Sequence, residues 1–242
     1  MELPIFSDNL RSSAAWSVNL EREREAWRQV RESSRTGSSF ETQLRTLQTQ
    51  ETLRRASLMV NEQCVDELTA ENLQKVACLI SNWAAEPEAA LGVERLTTLY
   101  RALTGINSET EIFRQAEGQP LGRAHQPAPA IILPRLLEQA CSWFTAPSFA
   151  EIHPVEQAAL VYLRLLDLQP FATHHEPTAL LAASFYTERA GWPPLIIFAD
   201  EATIARHTAA LDAAFRMLTQ PLVEFFAESL ARTIKHFTES KR

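Results

Sequence analysis

A chain of 242 residues with 45 % apolar side chains can bury a sizeable core, as one large domain or two small ones. A formal net charge of −7 argues against a general nucleic-acid binder, whose phosphate partners call for a basic surface. Only 6 glycines are present, against ~7 % in an average chain, which fits an all-helical fold with few tight turns. Cys64, Cys78 and Cys141 form neither a metal-binding spacing nor an even set, so reduced thiols in a cytoplasmic protein are the expectation. No basic start followed by an apolar run reads as a signal peptide. No apolar run reaches the ~18 residues that a membrane span needs. No membrane or nucleic-acid partner is therefore expected.

In chain order, residues 1–15 read as irregular. Residues 19–34 read as a charged helix with Trp27 and Val30 three apart. Arg35 to Ser39 has the composition of a linker. Residues 41–62 form a longer helix with a rough apolar face of Leu44, Leu47, Leu53, Leu58 and Met59. The pairs Arg54-Arg55 and Arg22/Arg24 alternate with acids and read as solvated faces. Thr69 caps a helix that continues through Leu73, Val76, Leu79, Ile80 and Trp83. A further helix over 91–104 stops at Gly105. Residues 111–134 change character, because Gly118, Pro120, Gly122, Pro127 and Pro129 break any helix. Leu136 to Phe144 is helical again, and two more helices, 200–218 and 221–238, bring core residues such as Leu211, Phe215, Phe225, Phe226 and Leu230.

The most informative stretch lies between, from His153 to Pro194. It reads as a helix over 153–168, a short loop Gln169-Pro-Phe-Ala-Thr-His-His-Glu-Pro177, and a second helix starting near Pro177. The first helix is apolar on more than one stripe, as expected of a buried helix. The second ends at Gly191 with Pro193 and Pro194. A loop feeding a helix N-terminus is a common place for anion chemistry, because free backbone N–H groups and the helix dipole point there.

This stretch resembles the Fic (Fido) family. The family core runs H-P-V-x-R-A-A-L, then H-P-F-x-D/E-G-N-G-R-x-x-R, then A-G-Y/W-P-P. His153-Pro154-Val155, Ala158-Ala159-Leu160, Pro170-Phe171 and Ala190-Gly191-Trp192-Pro193-Pro194 fall in that order and spacing. The segment from Pro221 to Leu230 looks like the family's closing helix, and the resemblance covers about residues 41 to 240. It implies an all-α, Fic-like bundle of about eight helices over 41–242, after a charged N-terminal extension over 1–40. It also implies a short β-hairpin flap within 111–134, where the family lines up a target segment by strand addition. The motif core would lie within 151–194.

Fic enzymes transfer AMP from ATP to a protein hydroxyl, and here the resemblance departs from the pattern. Gln169 stands at the general-base histidine and Thr173 at the magnesium-holding acid. His174, His175, Glu176 and Pro177 replace Gly-Asn-Gly-Arg, and Leu180 replaces the last arginine. A glutamine cannot accept a proton near neutral pH, and a base is worth ~10²–10⁴ in rate. A threonine hydroxyl is a poor magnesium ligand. Residues with a Cβ enter the positive φ of a phosphate nest reluctantly. The family's inhibitory motif would fall at Ser57 and Asn61, with Asn61 in place of its glutamate. Both partners of that motif's ion pair would then be absent together, since Leu180 stands for the arginine.

The expectation is thus a degenerate Fic-fold binding or regulatory protein without a cofactor. It would dock a protein partner near the flap and could form a homo-oligomer. Two alternatives stay open. One is a divergent Fic enzyme that moves AMP or another phosphate-containing group and needs ATP and magnesium. The other is a metal or small-ligand site built on His174, His175 and Glu176, with His153 as a further ligand. The expected fate of the two loop histidines is exposure in an emptied pocket. His125, His207 and His236 read as isolated surface or packing residues.

Overall fold

The computed structural model describes residues 7–33, 38–58, 68–106 and 112–239. These residues form α1 (Ser7–Ser33), α2 (Ser38–Leu58), α3 (Ala70–Ala85), α4 (Val93–Thr104), α5 (Leu133–Phe144), α6 (Pro147–Ala150), α7 (Pro154–Leu168), α8 (His175–Arg189), α9 (Glu201–Phe215) and α10 (Gln220–Glu239). A 3-10 turn, Ala130–Ile132, leads into α5. The fold is all-α, as expected, with ten helices among the described residues where the bundle was expected to hold about eight. Beyond the eight expected over 41–242 stand the four-residue α6 and α1, the charged helix of the N-terminal extension, which starts at Ser7 rather than near residue 19.

The helix ends follow local chemistry. Thr69 accepts from the amide of Asn72 at 3.1 Å and starts α3. Gly105 takes a left-handed φ of 73° and ends α4. His153 caps α7 by accepting from the amide of Val155 at 3.2 Å, with Pro154 in the first turn. Burial first, and then Arg24, hold the His153 pKa below its usual value despite Glu21, which keeps the ring in the neutral form that can accept. At the end of α8, Gly191 has φ 82° and lets the amide of Trp192 return to Thr187 O at 2.9 Å.

The centre of the molecule is α8. Its side chains are buried without interruption from Glu176 to Thr187, so it has no solvent face. Ala179, Ala182, Ala183 and Ser184 are small and let neighbours approach. Helix α7 packs along it, and α2, α3 and α4 cover other sides. Helix α10 packs on α7 and α9 and also carries α1. Helix α1 is thereby tied to the body: Trp27 is buried against Phe237 of α10 and Phe40 of α2, with ring centroids 6.2 and 5.5 Å away.

One expected feature is replaced. Among the described residues the 112–129 excursion makes no hairpin. It makes a single antiparallel bridge, Phe113 to Phe171, and otherwise runs irregularly. Pro120, Pro127 and Pro129 have no N–H to give to a ladder. The carbonyls of Ala116 and Ala128, which a hairpin would use, are taken by the Arg114 side chain instead.

Candidate functional site

The site is the loop between α7 and α8 with the segments that close on it. Gln169 ends α7 in a left-handed conformation, φ 44°, which costs a side-chain-bearing residue ~1–2 kcal/mol. Its side chain is 0 % exposed. The carboxamide Oε1 accepts from the Gln119 amide at 2.9 Å, and Nε2 donates to the Gln119 carbonyl at 2.6 Å. The side chain thus pairs with the excursion as one peptide edge pairs with another. An imidazole cannot present a donor and an acceptor side by side in this way. The close approach requires Gly118, where a Cβ would stand 2.6 Å from Gln169 Oε1 and 2.6 Å from Pro127 Cβ.

Arg114 completes the clasp. Its guanidinium is buried and donates to the carbonyls of Gln169 (2.7 Å), Ala116 (2.8 Å), Leu168 (3.3 Å) and Ala128. Its backbone amide reaches Pro170 O at 3.1 Å. Burial among carbonyls lowers its pKa, and Glu117 offsets this in part. Phe171 is buried as the sequence implies. It stacks flat on Tyr100 at 4.4 Å on one side and on Phe113 at 6.3 Å on the other.

Past Phe171 the residues diverge. Thr173 is half-buried, and its Oγ1 lies 2.6 Å from His174 Nδ1 and 3.2 Å from the Tyr100 hydroxyl. His174 sits at φ 55° and is 2 % exposed. His175 is half-buried, and burial, followed by the charge of Arg114 and by His174, pushes its pKa down to about 4. The two histidines therefore do not line an open pocket, contrary to expectation. Helix α8 begins at His175, two residues before Pro177, whose missing N–H still falls in the first turn. Leu180 lies in the core.

Glu176 points away from the histidines into a closed polar ring. It accepts from Arg55 Nε at 3.0 Å, again from Arg55 Nη2, and from the Tyr162 hydroxyl at 3.3 Å. His207 lies 3.2 Å from Arg55 Nη2 and 2.9 Å from the Tyr162 hydroxyl. Burial, followed by Arg55, pushes the His207 pKa down to about 4 although Glu176 opposes it. The ring of His207 is therefore neutral at pH 7. Because a guanidinium only donates, Nδ1 accepts from Arg55 and Nε2 donates to Tyr162, whose own proton goes to Glu176. Desolvation works against the Glu176 charge, yet Arg55 prevails and the carboxyl pKa lies below the usual range.

Two sequence readings change here, those of Arg55 and His207. Arg55 is no solvated residue: it is 2 % exposed. An ion pair does join α2 to the motif region, with the cation on α2 and the carboxylate on α8. His207 is part of that ring, and His125 is buried against Phe215 with its Nε2 3.1 Å from Asp167 O. No cluster of three or more His, Cys, Asp or Glu among the described residues could hold a metal ion. Ser57 is an exposed residue whose hydroxyl donates to Arg54 O at 2.7 Å. Asn61 and Cys64 lie outside the described residues, while Cys78 and Cys141 are free thiols. No helix among the described residues is long and apolar enough to cross a membrane.

Sequence reasoning missed Arg114, Gln119, Tyr100, Tyr162 and His207. Arg55 had a signal, since it continues the helical stripe of Leu44, Gln48 and Thr52, all of them buried.

No model of a known protein family matches the chain. Among curated proteins it is 24 % identical over 162 residues to Protein adenylyltransferase Fic of Nematostella vectensis, covering 66 % of this chain and 37 % of that protein. It is 24 % identical over 148 residues to Protein adenylyltransferase fic-1 of Caenorhabditis elegans, covering 61 % and 28 %. The matched region spans about a third of the length of these relatives. Among solved structures, a fragment of Fic-1 from C. elegans superposes with a TM-score of 0.68 at 18 % identity, over 96 % of this chain and 76 % of that one. A Fic-domain signaling protein from Bacteroides thetaiotaomicron gives 0.71 at 14 % identity, over 92 % and 96 %. IbpAFic2, solved covalently tethered to Cdc42, gives 0.53 at 18 % identity, over 78 % and 63 %.

Proposed function

This chain has the fold of a Fic (Fido) domain, and from that premise we propose that it works as a protein-binding or regulatory module without nucleotide transfer at the 169–177 loop. One observation carries the reading. The position of the family's base is spent on a backbone clasp, and the position of its phosphate cradle is spent on a buried ion pair. Transfer needs a base that can take a proton and cations or free amides that hold phosphate. Gln169 supplies no base. Pro177 and Leu180 supply no cation. Glu176 places a carboxylate where the family has glycine. A likeness to IbpAFic2, captured on the protein Cdc42, supports a protein as the occupant of the surface beside the excursion.

A second reading has its own support: the curated relatives are protein adenylyltransferases. In that reading Gln169 positions a target hydroxyl that arrives already activated, and ATP with magnesium is the cofactor. Incubation with α-labelled ATP and magnesium separates the two. The binding reading expects no label on this chain or on any added protein. Label that depends on residues 169–180 would establish the transferase.

A further inference from the structure

The hydroxyl of Thr173 has neighbours that neither the clasp nor the ring uses. Its Oγ1 is 2.6 Å from His174 Nδ1 and 3.2 Å from the Tyr100 hydroxyl. Both neighbours are buried and held in place. The left-handed backbone of His174 turns its ring back onto the preceding residue, and Tyr100 is stacked flat on Phe171. Thr173 itself is half-buried beside the exposed Ala172, so a small reagent can reach it. A hydroxyl within hydrogen-bond reach of an immobilised imidazole is the arrangement of an activated nucleophile. Helix α8 starts two residues on, and the first amides of a helix have no intrahelical partner. The Thr178 amide bonds back to His174 O at 3.0 Å.

We infer that Thr173 is a reactive hydroxyl that takes an acyl group from a neutral activated ester, with His174 as its base. Tyr100 donates to Thr173 Oγ1, and Thr173 donates to His174 Nδ1. As Oγ1 attacks the carbonyl carbon, the Thr173 proton passes to Nδ1 and the carbonyl electron pair moves onto its oxygen. That oxyanion forms at Thr173, two residues before the start of α8. Collapse breaks the bond to the leaving oxygen, which departs with the bonding pair and recovers the proton from His174. The products are a Thr173 ester and a free alcohol, and no oxidant, metal or nucleotide is consumed. Charge selects the substrate class. Acyl transfer builds one negative charge, which helix amides can face. A phosphoryl group brings more, and the cations it needs are missing at Pro177 and Leu180, while Arg114 is occupied by four carbonyls. The inference holds whether or not the chain binds ATP.

The test uses the full chain and p-nitrophenyl acetate, following phenolate release and locating the acetyl group by peptide mass spectrometry. The expected result is a burst of one equivalent with the acetyl group on Thr173. Thr173→Val should abolish the burst. His174→Asn keeps a residue that tolerates the left-handed backbone and should slow the burst by ~10²–10⁴. Melting followed by circular dichroism checks that each variant is folded, and if Thr173→Val is not, His174→Asn carries the test. No burst from the folded wild type, a burst unchanged in His174→Asn, or acetyl only on other side chains overturns the inference.

Discussion

Gln169 holds a strained backbone and a whole excursion with one carboxamide, so its replacement tests the clasp directly. Gln169→Ala leaves the Gln119 amide and carbonyl without their partner, at ~1–3 kcal/mol. Gln169→His should cost a similar amount and bring no transferase activity, because the phosphate still lacks cations. Urea denaturation measures the first, and the labelled-ATP assay the second. Glu176→Ala strands the buried Arg55 and should cost ~3–5 kcal/mol. The double variant Arg55→Met, Glu176→Leu should cost clearly less than that single change, which a double-mutant cycle would report. His207 adds a pH dependence. Its folded pKa, about 4, lies below the ordinary value of 6.5, so between those values the unfolded chain binds more protons than the native one. Its contribution is fully present above pH 6.5 and is lost on acidification through 4, by ~3 kcal/mol. His175 shifts in the same direction. Denaturant midpoints between pH 7 and 4 should therefore fall, and fall less steeply in a folded His207→Gln variant.

Among the elements, α8 and the 112–129 excursion bear opposite relations to the sequence. The α8 helix was legible as helix from its apolar density and its Gly-Trp-Pro-Pro ending. Its first turn was not, because the partner of Glu176 is 121 residues away on α2, and no local period reports that distance. The excursion was legible as a break in helix from its Gly and Pro content. Its lack of a hairpin was not, because the bonds that replace the ladder come from one side chain, Arg114. A consequence follows for its mobility. Proteolysis should spare 112–129 in the native chain, since Arg114 and Gln169 pin it at several points. Arg114→Ala should make that stretch the first site cut, while the helices stay intact. Early cleavage there in the unaltered chain would show that the pins do not hold. Gly118→Ala should loosen the same segment by forcing the clasp apart, at a cost of ~1–3 kcal/mol.

For the molecule as a whole, the fold was readable because packing residues repeat with helical spacing. Val155, Ala158, Ala159, Phe171 and Leu181 are all buried, and Trp192 closes the end of α8. The candidate site was readable as a set of altered positions, but the new uses of those positions were not. Gln169 is defined by Gln119, Glu176 by Arg55, and Thr173 by Tyr100, and each pair is brought together only by the folded chain. The proposed function requires that nucleotide is not held at the 169–177 loop. Two arginine contacts to phosphate, at ~1.5–3 kcal/mol each, separate a micromolar site from a millimolar one. Calorimetric titration of the unaltered full chain with ATP, with and without magnesium, measures this directly. The account predicts no binding in the micromolar range and no magnesium dependence. Micromolar affinity that magnesium strengthens and that an Ala substitution at Glu176 alters would contradict it.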